Sequence, residues 1–297
     1  MALPRSTLLD PLLLARVKDL RLVARTLVDG AVTGLHLQPR AGVGVELAQF
    51  RSYQPGDDPR RLDWRALARS DRLYVRESPI ERDVTVRLVL DASASMGHGE
   101  PPLHKLGYAR MLVAALAFLA LRQGDGVAFH AVGSPGVDLP PLRRRRALER
   151  LLVALEGLAP EGRWPAWSEL APRLARPRRR ELVVLVSDLW EESGEISAAV
   201  AGLRALRHEV VLLHLLAGDE LGFGWEGDLE LEDLETGRRI SGNADELRPG
   251  YLVSLQEHLQ RWERRCGELG VAYHRLALDR PLELALRDVL ARRRRLP

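Results

Sequence analysis

Residues 84–97 read Val84-Thr-Val-Arg-Leu-Val-Leu-Asp91-Ala-Ser93-Ala-Ser95-Met-Gly97, a β-type apolar run that ends in one acidic residue and two serines. Short apolar runs of this kind are typical of strands that are buried on both faces of a sheet. Residues 181–187 form a second such run, and Asp188 follows it directly. Single segments with helical spacing separate the strand-like runs. The pattern therefore predicts an α/β fold with a doubly wound, mainly parallel sheet.

The predicted elements alternate along the second part of the chain. Strands are predicted at residues 84–90, 127–132, 181–187, 209–216 and 271–276. Helices are predicted at residues 105–122, 147–158, 196–207, 251–269 and 281–295. Residues 229–240 alternate in polarity around Glu235-Thr236-Gly237, which predicts a surface hairpin outside the sheet.

The first 82 residues differ from the rest of the chain in composition and in the spacing of their apolar residues. Residues 10–27 have helical spacing that ends near Asp29-Gly30, and a glycine-punctuated stretch that suits short strands follows. Residues 51–69 form a dense block of arginine and aspartate around Trp64. We predict two domains: residues 1–82, an N-terminal helix with a β-rich extension, and residues 83–297, the α/β domain. The Arg/Asp block predicts a polar network that fastens this extension to the sheet, with a docking surface for a partner as the alternative.

Composition excludes several classes of protein. The chain has 297 residues, of which 46% are hydrophobic and 29% charged, so it can bury a core and is not a disordered tail. A lone cysteine, Cys266, excludes a disulfide framework and cysteine-rich metal sites. No segment reaches the roughly 20 apolar residues that span a bilayer, and no secretory signal is evident. We expect a cytoplasmic protein without a membrane span.

The charge balance does not favour nucleic acid as a partner. The 44 basic residues exceed the 41 acidic residues by 3, the two signs are interspersed, and aromatic residues make up only 5% of the chain. Nucleic-acid surfaces usually combine a continuous basic face with stacking aromatics. We therefore predict no nucleic-acid binding.

Oxygen-bearing side chains follow two of the predicted strands. Asp91, Ser93 and Ser95 alternate, so their side chains converge on one side of an extended loop, and Asp188 ends another strand. Because the carboxyl ends of parallel strands meet at one edge of the sheet, these groups are expected to lie together. Carboxylate and hydroxyl oxygens suit a hard cation, Mg²⁺ or Mn²⁺. The alternative is structural, with serines that cap a helix and aspartates that close turns.

The Asp-x-Ser-x-Ser sequence resembles the metal-ion-dependent adhesion site of von Willebrand factor A domains. This resemblance implies that fold, with Asp188 as the aspartate of a later strand and a later loop that supplies a threonine. The corresponding loop here carries Ser168 between residues 162 and 170, so Ser168 is the candidate for that position. Trp164 and Trp167 accompany Ser168 in this loop. If exposed near the metal they would bind a partner, and the alternative is that they pack beneath the loop.

A more specific resemblance covers roughly residues 30–188 with distinctive residues, and the remainder of the chain in pattern only. The stretches 44–51, 53–64, 68–69 and 81–83, followed by Asp-x-Ser-x-Ser, are similar to the bacterial family called domain of unknown function 58. Genes of such families commonly neighbour MoxR-type AAA+ ATPases. The similarity therefore implies a partner or adaptor of such an ATPase in the assembly or maturation of protein complexes.

Two classes of function compete for the strand-end residues. In the first, the chain is not an enzyme but a metal-dependent, adhesion-type module that leaves one cation position for a partner's Asp or Glu. In the second, it is a Mg²⁺- or Mn²⁺-dependent hydrolase of phosphatase type. The loop after the first strand lacks the second carboxylate of an Asp-x-Asp nucleophile, and no phosphate-binding Gly-Lys-Ser/Thr loop is present. We therefore favour the adhesion-type module.

Overall fold

In the computed structural model the chain is described at residues 19–35, 49–52, 74–77, 84–99, 103–133, 136–143, 145–174, 180–191 and 193–293. Most of the Arg/Asp block at 51–69 lies outside these residues, so its role stays a prediction. The elements are, in chain order, α1 (Leu20–Leu35), β1 (Gln49–Ser52), β2 (Tyr74–Glu77), β3 (Thr85–Asp91), α2 (Lys105–Arg122), β4 (Gly126–Val132), β5 (Val137–Leu142), α3 (Arg145–Glu156), α4 (Trp167–Leu174), β6 (Leu182–Ser187), α5 (Glu195–Ala205), β7 (Glu209–Leu216), α6 (Gly218–Gly222), β8 (Asp228–Glu232), β9 (Arg239–Asn243), α7 (Ala244–Leu269), β10 (Ala272–Ala277) and α8 (Leu282–Arg293).

A six-stranded sheet forms the centre of the α/β part, in the order β10-β7-β6-β3-β4-β5. The first five strands of this order pair in parallel, and β5 pairs antiparallel to β4 at the edge. Every residue of β4 and β6 is buried, as expected for strands covered on both faces. The prediction of an α/β fold with a mainly parallel sheet is confirmed.

Helix α2 has the bounds that its apolar spacing predicts, and it is buried along most of its length. Helix α1 packs in the same core and continues to Leu35, so the predicted end near Asp29-Gly30 was wrong. Helix α7 begins at Ala244 rather than at residue 251, because the Asn243 side chain caps it by accepting a hydrogen bond from the Asp245 amide. The predicted surface hairpin is confirmed as β8 and β9, which form a separate two-stranded sheet.

The chain divides into two compact units, residues 1–37 with 84–297, and residues 38–83. The first unit contains α1 and the six-stranded sheet. The second contains the antiparallel pair β1 and β2. The predicted domains, 1–82 and 83–297, stay a prediction. Along the described part of the chain, no helix combines the length and apolarity needed to cross a membrane.

The order of the strands places a topological switch point between β3 and β6. These two strands are neighbours, but the chain leaves β3 toward β4 on one side and leaves β6 toward β7 on the other. In open α/β sheets, ligands bind at such a switch point, outside the carboxyl ends of the strands. Asp91 is the last residue of β3, and Ser187 is the last residue of β6.

Candidate functional site

The ends of β3 and β6 are joined through the carboxylate of Asp91. Its Oδ2 accepts a hydrogen bond from Ser187 Oγ at 2.6 Å, and its Oδ1 accepts one from the Ser93 amide at 2.9 Å. Ser187 Oγ in turn accepts a hydrogen bond from the Leu189 amide at 2.9 Å. Asp91 is 1% exposed. Asp91 therefore fixes the loops that leave both strands, and it does so without contact with solvent.

The hydroxyl of Ser95 lies among three other oxygens. Ser93 Oγ is 3.1 Å away, Asp188 Oδ1 is 3.3 Å away, and Glu235 Oε1 is 3.0 Å away. A hydroxyl carries a single proton, so Ser95 donates to one carboxylate at a time. Asp188 Oδ1 and Glu235 Oε1 thus compete for the proton of Ser95. The four oxygens together carry more negative charge than this one proton can balance.

The other oxygen of Asp188 faces a buried ammonium. Lys105 Nζ donates to Asp188 Oδ2 at 2.8 Å and to Glu220 Oε1 at 2.6 Å. Glu220 is held in place by the Ala217 amide, which donates to its Oε2 at 2.8 Å. Burial alone lowers the pKa of Lys105, but the two carboxylates outweigh burial and raise it, so the side chain stays charged. Lys105 is 0% exposed, which makes this an ion triad inside the protein.

Carboxylates outnumber cations around the strand ends. Burial and, second, the charge of Asp188 raise the pKa of Asp91 to about 7. Burial also raises the pKa of Glu235, with Asp188 and Asp233 adding to the shift while hydrogen bonds from the serines oppose it. Lys105 Nζ pairs with the carboxylates of Asp188 and Glu220, and Arg163 Nε contacts the backbone carbonyl of Glu235. The carboxylates near Ser95 therefore outnumber the ammonium that pairs with them.

Four of the predicted site residues, Asp91, Ser93, Ser95 and Asp188, lie together at the carboxyl ends of β3 and β6. The fifth, Ser168, lies exposed in the first turn of α4. The side chain from a distant part of the chain that touches Ser95 is instead Glu235, from the turn between β8 and β9. The assignment of Ser168 stays a prediction, and the structure offers Glu235 as a further oxygen donor.

The two tryptophans do not form an exposed pair. Trp164 is 7% exposed and packs in a core cluster that includes Val132 and Leu170. Trp167 is half-buried and packs against the same cluster. The burial of Trp164 favours the alternative of packing beneath the loop, and the partner-binding role of the two tryptophans stays a prediction.

Gly202 in α5 makes room for the ring of Trp167. An added Cβ at this position would lie 2.2 Å from the ring. We therefore expect Gly202→Ala to displace the indole and to lower the free energy of unfolding by about 1–3 kcal/mol, the usual cost of overpacking. Urea denaturation followed by tryptophan fluorescence measures the change. Gly250→Ala is the matched control, because Gly250 is also helical and has no neighbour within 4 Å; equal stability of the two variants would contradict the prediction.

Sequence reasoning did not identify Lys105, Glu220 or Glu235 as members of this site. One signal was available for Lys105: the chain has 44 basic residues, yet Lys18 and Lys105 are its only lysines. An ammonium at the start of an apolar helix is unusual in a chain that otherwise uses arginine. Glu235 had no such signal, because 140 positions separate it from Ser95.

The donor set at the strand ends consists of oxygen atoms. Within the described ranges, no group of three or more His, Cys, Asp and Glu side chains is placed to hold a metal ion. The cluster around Ser95 is of a different kind, because it combines two hydroxyls with carboxylates from Asp188 and Glu235. Oxygen-only sets of this kind match the preference of Mg²⁺ and Mn²⁺.

Comparison with known proteins gives a family and several relatives. The family described as "Protein of unknown function DUF58" matches residues 49–261. Uncharacterised proteins of Mycobacterium tuberculosis and Mycobacterium bovis are each 32% identical over 234 residues, which cover 77% of this chain and 73% of theirs.

Two solved structures from Bacteroides are also similar. The conserved hypothetical protein BatB from Bacteroides thetaiotaomicron has a TM-score of 0.45 and 13% identity, over 72% of this chain and 100% of that one. An aerotolerance-related membrane protein from Bacteroides fragilis has a TM-score of 0.44 and 15% identity, over 70% of this chain and 99% of that one.

Proposed function

The chain belongs to the DUF58 family of proteins of unknown function, and we propose that it is a metal-dependent protein-binding module. In this proposal a divalent cation, Mg²⁺ or Mn²⁺, is held by Ser93, Ser95 and Asp188 at the strand ends, and a partner protein offers it an Asp or Glu. The observation that carries the proposal is the group of three oxygens within 3.0–3.3 Å of Ser95 Oγ.

These spacings suit a small divalent cation. Mg²⁺ takes oxygen ligands at about 2.1 Å in octahedral geometry, so neighbouring ligands stand roughly 3.0 Å apart. The measured spacings of 3.0, 3.1 and 3.3 Å around Ser95 are close to that value. The shortage of positive charge at the same oxygens supports the same conclusion, because a cation would compensate both Asp188 and Glu235.

The surrounding residues have distinct roles in this proposal. Asp91 holds the Ser93 amide and Ser187, so it positions the hydroxyls. Lys105 neutralises one oxygen of Asp188 and leaves the other, Oδ1, directed at Ser95. The bound cation would supply a positive charge that attracts a carboxylate from the partner.

The proposal extends to the type of fold and to the partner. Asp-x-Ser-x-Ser at the end of β3, with Asp188 beside it, supports a von Willebrand factor A-like domain with an adhesion-type cation site. The family resemblance points to a MoxR-type AAA+ ATPase as the partner, and to a role in the assembly or maturation of protein complexes.

Mn²⁺ titration calorimetry on the full chain tests the proposal. Ser95→Ala removes the hydroxyl at the centre of the oxygen group. We expect this substitution to weaken Mn²⁺ binding by about 10–100-fold, the range seen when groups around a metal are lost. Ser241→Ala is the matched control, because Ser241 is an exposed serine in β9. Equal Mn²⁺ affinities of the two variants, or no Mn²⁺ binding by the unaltered chain, would reject the proposal.

A further inference from the structure

We propose that Glu235 occupies the position that a partner's carboxylate takes, so the partner must displace the tip of the β8–β9 hairpin to bind. This inference rests on the proposed function and concerns the same site. Its first observation is the contact of Glu235 Oε1 with Ser95 Oγ at 3.0 Å, made by a side chain 140 residues away in the sequence.

Glu235 is the member of the oxygen group that is best placed to leave. Ser93 is 1% exposed and Asp188 is 0% exposed, and both belong to the loops that leave the central strands. Glu235 is half-buried and comes from the separate β8–β9 sheet. No residue of β8 or β9 is buried, so the hairpin contributes little to the apolar core.

The turn that carries Glu235 is held by its own residues. Asp233 Oδ1 accepts hydrogen bonds from the amides of Glu235 at 2.9 Å and Thr236 at 3.3 Å, and Asp233 Oδ2 accepts one from Thr236 Oγ1 at 2.6 Å. The Gly237 amide donates to Asp233 O at 2.7 Å, with a φ of 70° at Gly237 that glycine adopts without strain. The turn therefore keeps its shape without help from the site, as a carboxylate-presenting loop must.

Hydrogen bonds between its two ends close the base of the hairpin, and contacts of Glu235 attach its tip to the rest of the chain. At the base, the Ala244 amide donates to Gly227 O at 2.8 Å, and Asn243 Nδ2 donates to Asp228 Oδ1 at 3.1 Å. At the tip, besides the contact with Ser95, Arg163 Nε donates to Glu235 O at 3.0 Å. Gly227 precedes β8 directly and has a φ of 74°, which glycine adopts without strain.

Because Glu235 occupies the partner's position in this proposal, the partner should present the same groups as the hairpin tip. A competitor must present a Glu or Asp on a tight turn, with a backbone carbonyl that can replace Glu235 O at Arg163. A tethered group competes at an effective concentration in the millimolar range. The unaltered chain should therefore bind an acidic turn more weakly than a chain that lacks the Glu235 carboxylate.

A peptide of the chain's own hairpin tip tests the inference. The probe is fluorescein-labelled 231–240, Leu-Glu-Asp-Leu-Glu-Thr-Gly-Arg-Arg-Ile, titrated by anisotropy into the full chain at saturating MnCl₂. We expect Glu235→Ala to bind this peptide at least about tenfold more tightly than the unaltered chain. Glu230→Ala is the matched control, because Glu230 carries the same charge in β8 but pairs with Arg239; it should bind like the unaltered chain. A peptide with Glu235→Gln should not bind to any of them.

The outcomes separate this inference from the proposed function. If the unaltered chain binds Mn²⁺ by calorimetry but Glu235→Ala binds the peptide no more tightly, the inference is wrong and the cation site stands. Peptide binding that persists in EDTA or with the Gln peptide also overturns it. Absence of Mn²⁺ binding by the unaltered chain overturns the proposed function, and the inference falls with it.

Discussion

Lys105→Met is expected to lower the free energy of unfolding by about 3–5 kcal/mol, the usual cost of removing one partner from a buried ion pair. Methionine fills a similar volume, so the loss is electrostatic rather than a cavity. It leaves Asp188 and Glu220 without the ammonium that contacts them at 2.8 and 2.6 Å. Urea denaturation, monitored by circular dichroism, measures the change.

A second ion pair on the same helix provides the control. Arg122 Nη1 lies 2.9 Å from Asp29 Oδ1, but both side chains are about half-exposed, at 50% and 52%. We expect Arg122→Met to cost less than about 1 kcal/mol, because solvent screens exposed pairs. The double variant Lys105→Met with Glu220→Gln should recover part of the lost stability, since one unpaired buried charge is removed. A loss below 1 kcal/mol for Lys105→Met would show that the triad does not stabilise the fold.

Asp91→Asn is expected to remove most of the stabilisation of the chain by Mn²⁺. A cation at 100 times its dissociation constant adds about 2.7 kcal/mol to the unfolding free energy of a chain that binds it. The amide of asparagine retains the shape of Asp91 but not the charge, and a 10–100-fold loss of affinity would leave the variant a gain of only about 0.4–1.4 kcal/mol at the same Mn²⁺ concentration. Thermal unfolding in MnCl₂ and in EDTA gives the comparison.

When no divalent cation is present, Asp91→Asn is expected to have the opposite effect on the stability of the chain. The pKa of Asp91 is about 7 in the folded chain, against an ordinary value of 3.8. Between these pH values the folded chain retains a proton that the unfolded chain has lost, so stability falls as the pH rises from about 4 to 7. Asp91→Asn removes this contribution, and in EDTA at pH 8 we expect the variant to be at least as stable as the unaltered chain. A large loss of stability in EDTA would assign Asp91 a structural role instead.

The regular elements were predictable where hydrophobic spacing determines them. The helix at 105–122 and the strand at 209–216 have the predicted bounds, since each is apolar at most of its positions. Strand β5 was not predicted, because Pro140 and Pro141 argue against a strand in a sheet interior. At the edge, next to β4 only, a proline without an amide proton is tolerated.

The candidate site was predictable only where its residues follow strands. Asp91 ends β3 and Asp188 directly follows the neighbouring strand β6, so strand order alone brings them together. Glu235 and Glu220 reach the same place through tertiary packing of the hairpin and the short helix α6. No local pattern encodes such contacts, since periodicity reports which face of an element is buried and not what lies opposite it.

The hairpin lies between β7 and α7, on a crossover rather than in the sheet. Its length and tip sequence can therefore change without altering the register of any central strand. The strand-end hydroxyls belong to loops of the central sheet, whereas the hairpin that contacts them is an insertion outside that sheet. Relatives that exchange only this insertion would acquire a different selectivity for acidic ligands on an unchanged scaffold.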